Sequence, residues 1–257
     1  TSVRGLLRDF FALERDVLVL SVAMFAFSLG FQMTGRYLPR YMTFLGAGGV
    51  AVGLYGSLGN LIGAVYPYPG GALSDRIGSR TALTAFGLAS TLGFLLWFLA
   101  PEFSALPIPG WAWIFVGLLL AQAWKSFGLG ATFAIVKQSV PPEELATGFA
   151  STETFRRTAF LLGPLIAAGL LAVYEFEVGF RYVLAVAAGF GLFATAVQHR
   201  LYDASEDSLG KSFEGVEQVV SDLREMPATL RPLLVGDTLV RFANGMVYVF
   251  VVLVGTN

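Results

Sequence analysis

The sequence predicts an all-α fold, a polytopic bundle of transmembrane helices in which six spans are followed by a seventh. Of the 257 residues, 55% are hydrophobic and only 14% are charged. Soluble domains carry about 25% charged residues, so this chain has too few to cover a surface that faces water. The apolar residues fall in long stretches with almost no charge, and about 20 such residues cross a bilayer core. We therefore expect an integral membrane protein.

The first three spans follow from the charge-free stretches. The first, "VLVLSVAMFAFSLGFQMTG", lies between Asp16 and Arg36. After Arg40 we predict a turn, "YMTFLGAGG", and then the second span, "VAVGLYGSLGNLIGAVYPYPGG". The third, "TALTAFGLASTLGFLLWFLA", ends at Pro101. The first span has a full-length apolar core and no small-residue cleavage site after it, which distinguishes it from a signal peptide.

The remaining spans are predicted in the same way. The fourth begins with "WAWIFVGLLLAQAW" and continues past Lys125 to about Lys137. "PPEELATG" places prolines and acids at a helix start, so the fifth span runs from about Ala146 to about Val173. The sixth is "YVLAVAAGFGLFATAV", and the seventh is "PLLVGDTLVRFANGMVYVFVVLVG".

These spans divide the chain into three parts. Residues 1–198 form an N-terminal six-helix transmembrane domain, 199–231 a cytoplasmic linker, and 232–257 the seventh helix, the start of a truncated second half. In the linker, "SFEGVEQVVSDLREM" has apolar residues at helical spacing, which favours an amphipathic helix at the membrane surface. A disordered linker with an accidental pattern is the alternative.

Lysines and arginines are unequally distributed between the two sides of the membrane. With the N-terminus in the cytoplasm, the inner segments hold ten of those counted and the outer loops hold three. The inner set is Arg4, Arg8, Arg15, Arg76, Arg80, Lys137, Arg200, Lys211, Arg224 and Arg231, and the outer set is Arg36, Arg40 and Arg181. Since basic residues concentrate in cytoplasmic loops, we expect a cytoplasmic N-terminus in a multi-pass protein of the cell membrane.

Composition also disfavours several functions. Cysteine is absent and histidine occurs once, and the sequence shows no metal cluster, nucleophile–base pair or phosphate loop. We therefore expect no enzymatic activity and no cofactor or metal. The net charge of −1 provides no basic stripe for nucleic acid, so we expect no nucleic-acid partner.

A charged, glycine-rich turn, "GGALSDRIGSR" (70–80), separates the second and third spans. Gly71 allows close backbone approach, and Gly78 permits a positive φ. Asp75 can lie at a helix N-terminus, while Arg76 and Arg80, four residues apart, are expected on one helical face. These features also fit an ordinary turn that follows the positive-inside rule.

The same turn resembles the signature of the major facilitator superfamily of secondary transporters, G-x-x-x-D-[RK]-x-G-[RK]-[RK]. Gly71, Asp75, Arg76, Gly78 and Arg80 match it, and Ser79 replaces a basic residue. The resemblance covers the whole chain, which would correspond to the first six helices of the family fold and the seventh. It implies a loop that gates the cytoplasmic side through charge contacts with the second half of the protein.

Two further segments resemble motifs of this family. "WKSFGLGA" in the fourth span resembles its R-x-x-q-G-x-g-a segment, with Trp124 at the arginine position and Lys125 one residue later. "LLGPLIAAG" in the fifth span resembles the glycine–proline motif associated with antiporters, and Gly163 and Pro164 match it as a helix-packing motif. These segments suggest antiport.

Polar and charged residues within the spans are the candidates for a substrate or coupling-ion cavity, because they are costly in lipid. The candidates are Lys125, Glu153, Arg156, Arg157, Asp237, Arg241 and Asn244. Several have a structural alternative: Glu153 and its arginines could form a structural ion pair that ties this helix to a neighbour, and Asp237 could reach the interface. Gln32, Asn60 and Gln122 are expected to join helices by hydrogen bonds. The excess of cations over acids could favour an anionic substrate.

The function expected from the resemblance is secondary active transport of small molecules by alternating access, with a proton-coupled efflux antiporter as the specific case. The alternatives are a facilitator or symporter of a small anionic or organic solute, and a non-transporting receptor or scaffold. The expected partners are a small-molecule substrate, protons and the lipid bilayer. Because family members have about twelve spans, we expect this chain to be a fragment of a protein that is monomeric when complete.

Overall fold

The computed structural model describes residues 15–66, 73–74, 76–105, 107–128 and 145–202, together with isolated positions between 227 and 240. The main elements are helical throughout these ranges, as the sequence predicts. They are α1 (Arg15–Gly35), α2 (Leu38–Phe44), α3 (Gly49–Val65), α4 (Ser79–Leu99), α5 (Gly110–Ala123), α6 (Leu145–Val173) and α7 (Phe176–Leu201). A 3-10 helix, Glu102–Ala105, follows α4, and a π-helix, Trp124–Gly128, extends α5.

Four of these helices are long and apolar enough to cross a membrane. The spans are Val17–Gly35 in α1, Ser79–Leu99 in α4, Glu153–Val173 in α6 and Phe176–Leu201 in α7. Within α3, Gly49–Gly63 is apolar but shorter, and α5 has only 14 residues before its π-helical extension. Helix α7 extends to Leu201, into the start of the predicted linker. Most of that linker, the middle and end of the seventh span and most of the turn before α4 lie outside the described residues.

The predicted turn after Arg40 is wrong in its first half, because Leu38–Phe44 forms the short helix α2. Pro39 lies in the first turn of α2, where its fixed φ favours a helix. Tyr41 is buried in the core and donates a hydrogen bond to the carbonyl of Trp97 at 3.3 Å. Burial raises the pKa of the Tyr41 phenol above its usual range. The chain then turns at Gly46, whose φ is +91°.

Gly78 determines how the chain enters α4. Its φ of +84° confirms the prediction of a positive φ, and it is the N-cap of α4. The prediction that Arg76 and Arg80 share one helical face is wrong. Residues 76–77 are helical, but the left-handed conformation at Gly78 separates them from α4. An i,i+4 relation requires an uninterrupted helix.

Helix α7 packs against α1, α4 and α6, while α1 also contacts α6 and α4 also contacts α5. The α4–α5 contact is close enough to depend on glycine. A Cβ atom at Gly93 would lie 2.5 Å from the Ala121 nitrogen and 2.7 Å from the Gly117 oxygen, both backbone atoms. Next to this contact, Ser90 donates a hydrogen bond to the Ala121 carbonyl. Small residues thus allow the two backbones to approach, as is common between membrane helices.

The predicted packing motif on α6 lies at another close contact. A Cβ atom at Gly163 would lie 2.6 Å from Cβ of Gln32 on α1. Pro164 follows inside α6 without ending the helix. These residues therefore bring α6 against α1, which lies beside the cavity described below.

Candidate functional site

A cavity of about 260 Å³ lies between α1, α3, α4 and α5. Its wall combines aromatic and aliphatic side chains with a few polar groups, as is typical of small-molecule sites. The lining residues are Phe31, Gln32, Thr34, Gly35, Arg36, Pro39, Tyr55, Trp97, Leu118, Ala121, Gln122 and Lys125. We consider this cavity the candidate solute-binding site.

Lys125 reaches the cavity from the π-helical turn at the end of α5. Its ammonium nitrogen lies 5.8 Å from the centroid of the Phe31 ring on α1, within the range of a cation–π contact. The preceding residue, Trp124, points into the core: it stacks on Phe27 with centroids 4.2 Å apart and donates to Oε1 of Gln198 at 3.3 Å. The tryptophan thus anchors the turn while the lysine faces the cavity.

Arg36 supplies a second cation to the cavity wall. It follows the C-terminus of α1, five residues after Phe31, which corresponds to about 7.5 Å of helix rise. Among the described residues that line the cavity, none is acidic. Two cations without a neutralising carboxylate create a positive potential along the cavity wall, so the cavity is electrostatically suited to an anion.

Gln122 contributes a buried amide to the same wall and is only 8% exposed. Its Nε2 donates to the carbonyl of Gly59 on α3 at 3.4 Å, which confirms the expected role in joining helices. Its Oε1 has no hydrogen-bond partner within the described part of the chain. The sequence analysis did not predict that Gln122 lines the cavity. Its position three residues before Lys125 could have indicated that the two side chains lie on the same side of the helix.

Glu153, Arg156 and Arg157 form an ion-pair cluster, as the structural alternative expects, but the pairs lie within α6 and do not tie it to a neighbouring helix. Arg156 donates from Nε and Nη2 to the two carboxylate oxygens at 2.8 and 2.9 Å, and Arg157 donates from Nε at 3.2 Å. Arg157 is 70% exposed, whereas Arg156 is 20% exposed. None of the three lines the cavity, although Arg156 is close enough for its charge to act on Lys125. A solute-binding role for them stays a prediction.

The gating-loop residues are only partly described. Arg76, Gly78 and Arg80 lie within the described residues, while Gly71 and Asp75 do not. Arg80 donates from Nε to the carbonyl of His199 at 2.7 Å, which links the start of α4 to the end of α7. Asp237, Arg241 and Asn244 of the seventh span also lie outside the described residues.

Ser79, which replaces a basic residue of the family pattern, joins the same contact between α4 and α7. Its hydroxyl lies 2.8 Å from the hydroxyl of Tyr202, and both side chains are buried. We expect Ser79→Ala and Tyr202→Phe to have a coupling energy of about 1 kcal/mol in a double-mutant cycle, because each removes the same buried hydrogen bond. The free energy of unfolding of the complete protein in an SDS titration measures it. Strictly additive effects would show that this hydrogen bond contributes nothing.

Comparison with known proteins agrees with this architecture. A family model described as the Major Facilitator Superfamily matches residues 20–256. An uncharacterized MFS-type transporter of Mycobacterium tuberculosis is 32% identical over 194 residues, which is 75% of this chain and 42% of that protein. An uncharacterized MFS-type transporter of Methanocaldococcus jannaschii is 24% identical over 180 residues, 70% of this chain and 42% of that protein. The match therefore spans less than half the length of each of these relatives.

Proposed function

The chain belongs to the major facilitator superfamily, and we propose that the complete protein containing it is a secondary transporter of a small anionic solute that works by alternating access. In such transporters the two halves rock around a central site near the bilayer midplane. The described helices supply one wall of such a site. The other half would close it, and a small-molecule substrate would be bound between them.

The observation that carries this proposal is the charge of the cavity wall. Lys125 and Arg36 line it, and no carboxylate does so among the described lining residues. An ionisable residue within a membrane protein costs several kcal/mol unless it has a function or a partner. Lys125 lies about 22 Å along the helix axis from the start of α5, far from that end of the helix. An anionic substrate would supply the missing counter-charge.

A proton-coupled efflux antiporter is the second candidate, supported by Gly163 and Pro164 on α6. Proton coupling needs a carboxylate that can gain and lose a proton during the cycle. Glu153 is engaged by two arginines through three hydrogen bonds, so it would have to leave both of them to serve in this way. The described contacts therefore weigh against a proton-carrying role for Glu153.

We also propose that the complete protein lies in the cell membrane with its N-terminus in the cytoplasm. The distribution of lysine and arginine supports this orientation. The contact of Arg80 and Ser79 with the end of α7 would then lie on the cytoplasmic side. We also propose that the complete protein acts as a monomer, because both halves of the site would come from one chain.

Solute counterflow into proteoliposomes tests this function. The complete protein is reconstituted into vesicles that contain unlabelled propionate, lactate, phosphate or sulfate, and uptake of the same labelled anion is measured. We expect at least one anion to enter faster than in protein-free vesicles, and no counterflow of the cation choline. Choline counterflow without any anion counterflow would contradict the proposal. Uphill anion movement driven by a pH gradient alone would identify proton coupling.

A further inference from the structure

Helices α4 and α7 meet at one end in a group of exposed basic side chains. Arg80 is the second residue of the span in α4, and His199 and Arg200 lie next to the end of the span in α7. Residues 79–86 at the start of α4 and 194–201 at the end of α7 include no acid. These two helix ends therefore carry positive charge at the level where their spans meet the membrane surface.

Arg80 is held in place by hydrogen bonds between the two helices. Its Nε donates to the His199 carbonyl at 2.7 Å, and the Thr84 hydroxyl lies 3.1 Å from Nδ1 of His199. Because the first bond uses Nε, the terminal nitrogens Nη1 and Nη2 are not engaged among the described residues. A guanidinium that is already oriented loses less entropy on binding, and its planar fork matches the oxygens of a phosphate. Arg80 thus offers a preformed contact to a phosphate group.

An apolar stripe on α4 starts close to Arg80 and runs towards the other end of the span. Its members are exposed and lie within about 40° of Thr81 around the helix axis, at 3.6 residues per turn. They are Leu88, Leu92, Leu95 and Leu99. Because α4 is long and apolar enough to cross a membrane, hydrocarbon is the natural neighbour of this stripe. A free phosphate ion would not contact it, whereas a phospholipid has both a phosphate and acyl chains.

We propose that the start of α4 and the end of α7 form a binding site for an anionic phospholipid. The phosphate accepts hydrogen bonds from the terminal nitrogens of Arg80, and the charge of Arg200 adds to the attraction. One acyl chain lies along the exposed leucines of α4. Basic groups between membrane helices recognise anionic headgroups in this way. The site is separate from the solute cavity and does not depend on which solute is transported.

Native mass spectrometry of the complete purified protein tests this site. The protein is mixed with equal amounts of dioleoylphosphatidylglycerol and dioleoylphosphatidylcholine, and the populations that carry one bound lipid of either kind are compared. The acyl chains are identical, but the choline group neutralises the phosphate of the second lipid. We expect about a tenfold excess of bound phosphatidylglycerol, the smallest factor that a hydrogen bond to a charged group implies.

A pair of variants at Thr81 separates charge from folding. Thr81→Glu adds a carboxylate beside Arg80 and leaves the bond to His199 in place, and an acid in the first turn of a helix is favourable. We expect the two lipids to bind about equally to this variant. Thr81→Gln, with a neutral side chain of the same size, should keep the wild-type excess. So should Arg40→Gln, which removes an exposed arginine 4.3 Å from the Phe176 ring at the other end of α7.

Equal binding of the two lipids by the wild type would overturn the proposal, and so would an undiminished excess in folded Thr81→Glu. If that variant failed to fold, Arg80→Gln would replace it, and an undiminished excess there would have the same meaning. Loss of the excess in Arg40→Gln would place the lipid preference elsewhere. Glycerol 3-phosphate at the concentration of the lipid should displace nothing, and displacement would show an anion site that does not use the acyl chains.

Discussion

Replacing Lys125 by methionine in the complete protein should weaken the binding of small anions by about 10- to 150-fold. Methionine keeps a similar length and flexibility but removes the charge. A hydrogen bond to a charged group contributes about 1.5–3 kcal/mol, and each 1.4 kcal/mol corresponds to a tenfold change in affinity. The effect should exceed that of any other single cavity substitution, because Lys125 supplies the charge that we place against the anion, 5.8 Å from the centroid of the Phe31 ring. Dissociation constants and the KM of anion counterflow measure it.

Two variants separate the charge of Lys125 from its position. Lys125→Arg keeps the cation and should retain part of the affinity, since its longer, planar group cannot take the same place. Arg181→Gln removes a cation that pairs with Glu102 at 3.0 Å and does not line the cavity, so it should leave anion binding unchanged. If Lys125→Met bound anions as well as the wild type at an unchanged melting temperature, the cavity would not be the anion site.

Four of the seven predicted spans coincide with helices that are long and apolar enough to cross a membrane, because hydrophobicity and the lack of charge determine which segments enter a bilayer. The positive φ of Gly78 could also be predicted, for a different local reason, because glycine has no Cβ atom and adopts this conformation readily. The short helix α2 was not predicted from the sequence. Arg40 seemed to mark a loop between spans, yet Leu38, Tyr41 and Met42 are fully buried in the core, and this tertiary packing does not follow from local composition.

The site was predictable in part. Lys125 could be chosen from the sequence because a charge deep in an apolar span is rare, although its binding role stays a prediction. The π-helix that carries it depends on a change in hydrogen-bond register, which hydrophobicity does not encode. The role of Gln122 depends on the Gly59 carbonyl, 63 residues earlier in the chain. Such long-range contacts become visible only after α3 and α5 have been placed together.

The contact between α4 and α5 leads to the other large expected effect, which is on stability. Gly93→Ala should lower the free energy of unfolding by about 1–3 kcal/mol, the usual cost of adding atoms to a well-packed interior. The new Cβ atom would meet the backbone nitrogen of Ala121 and the backbone oxygen of Gly117 at 2.5 and 2.7 Å. Since backbone atoms cannot turn away as a flexible side chain can, the two helices must separate.

The separation of α4 and α5 should also change the shape of the cavity. Ala121 and Trp97 belong both to the cavity wall and to the α4–α5 contact. Trp97 donates from Nε1 to the carbonyl of Ile114 at 2.9 Å, a hydrogen bond that requires the present spacing. We therefore expect Gly93→Ala to weaken anion binding as well as to lower the midpoint of the SDS titration. Gly189→Ala is the matched control: the glycine is exposed on α7, and a Cβ atom there meets nothing within 4 Å.

The control should be neutral or slightly stabilising, since alanine favours a helix by about 1 kcal/mol over glycine. The same gain in helix propensity applies at Gly93, so the difference between the two variants isolates the cost of the contact. Equal unfolding midpoints for both variants would mean that α4 and α5 can move apart without a loss of stability. In that case the close approach at Gly93 would not be what holds Gln122 and Lys125 in the cavity wall.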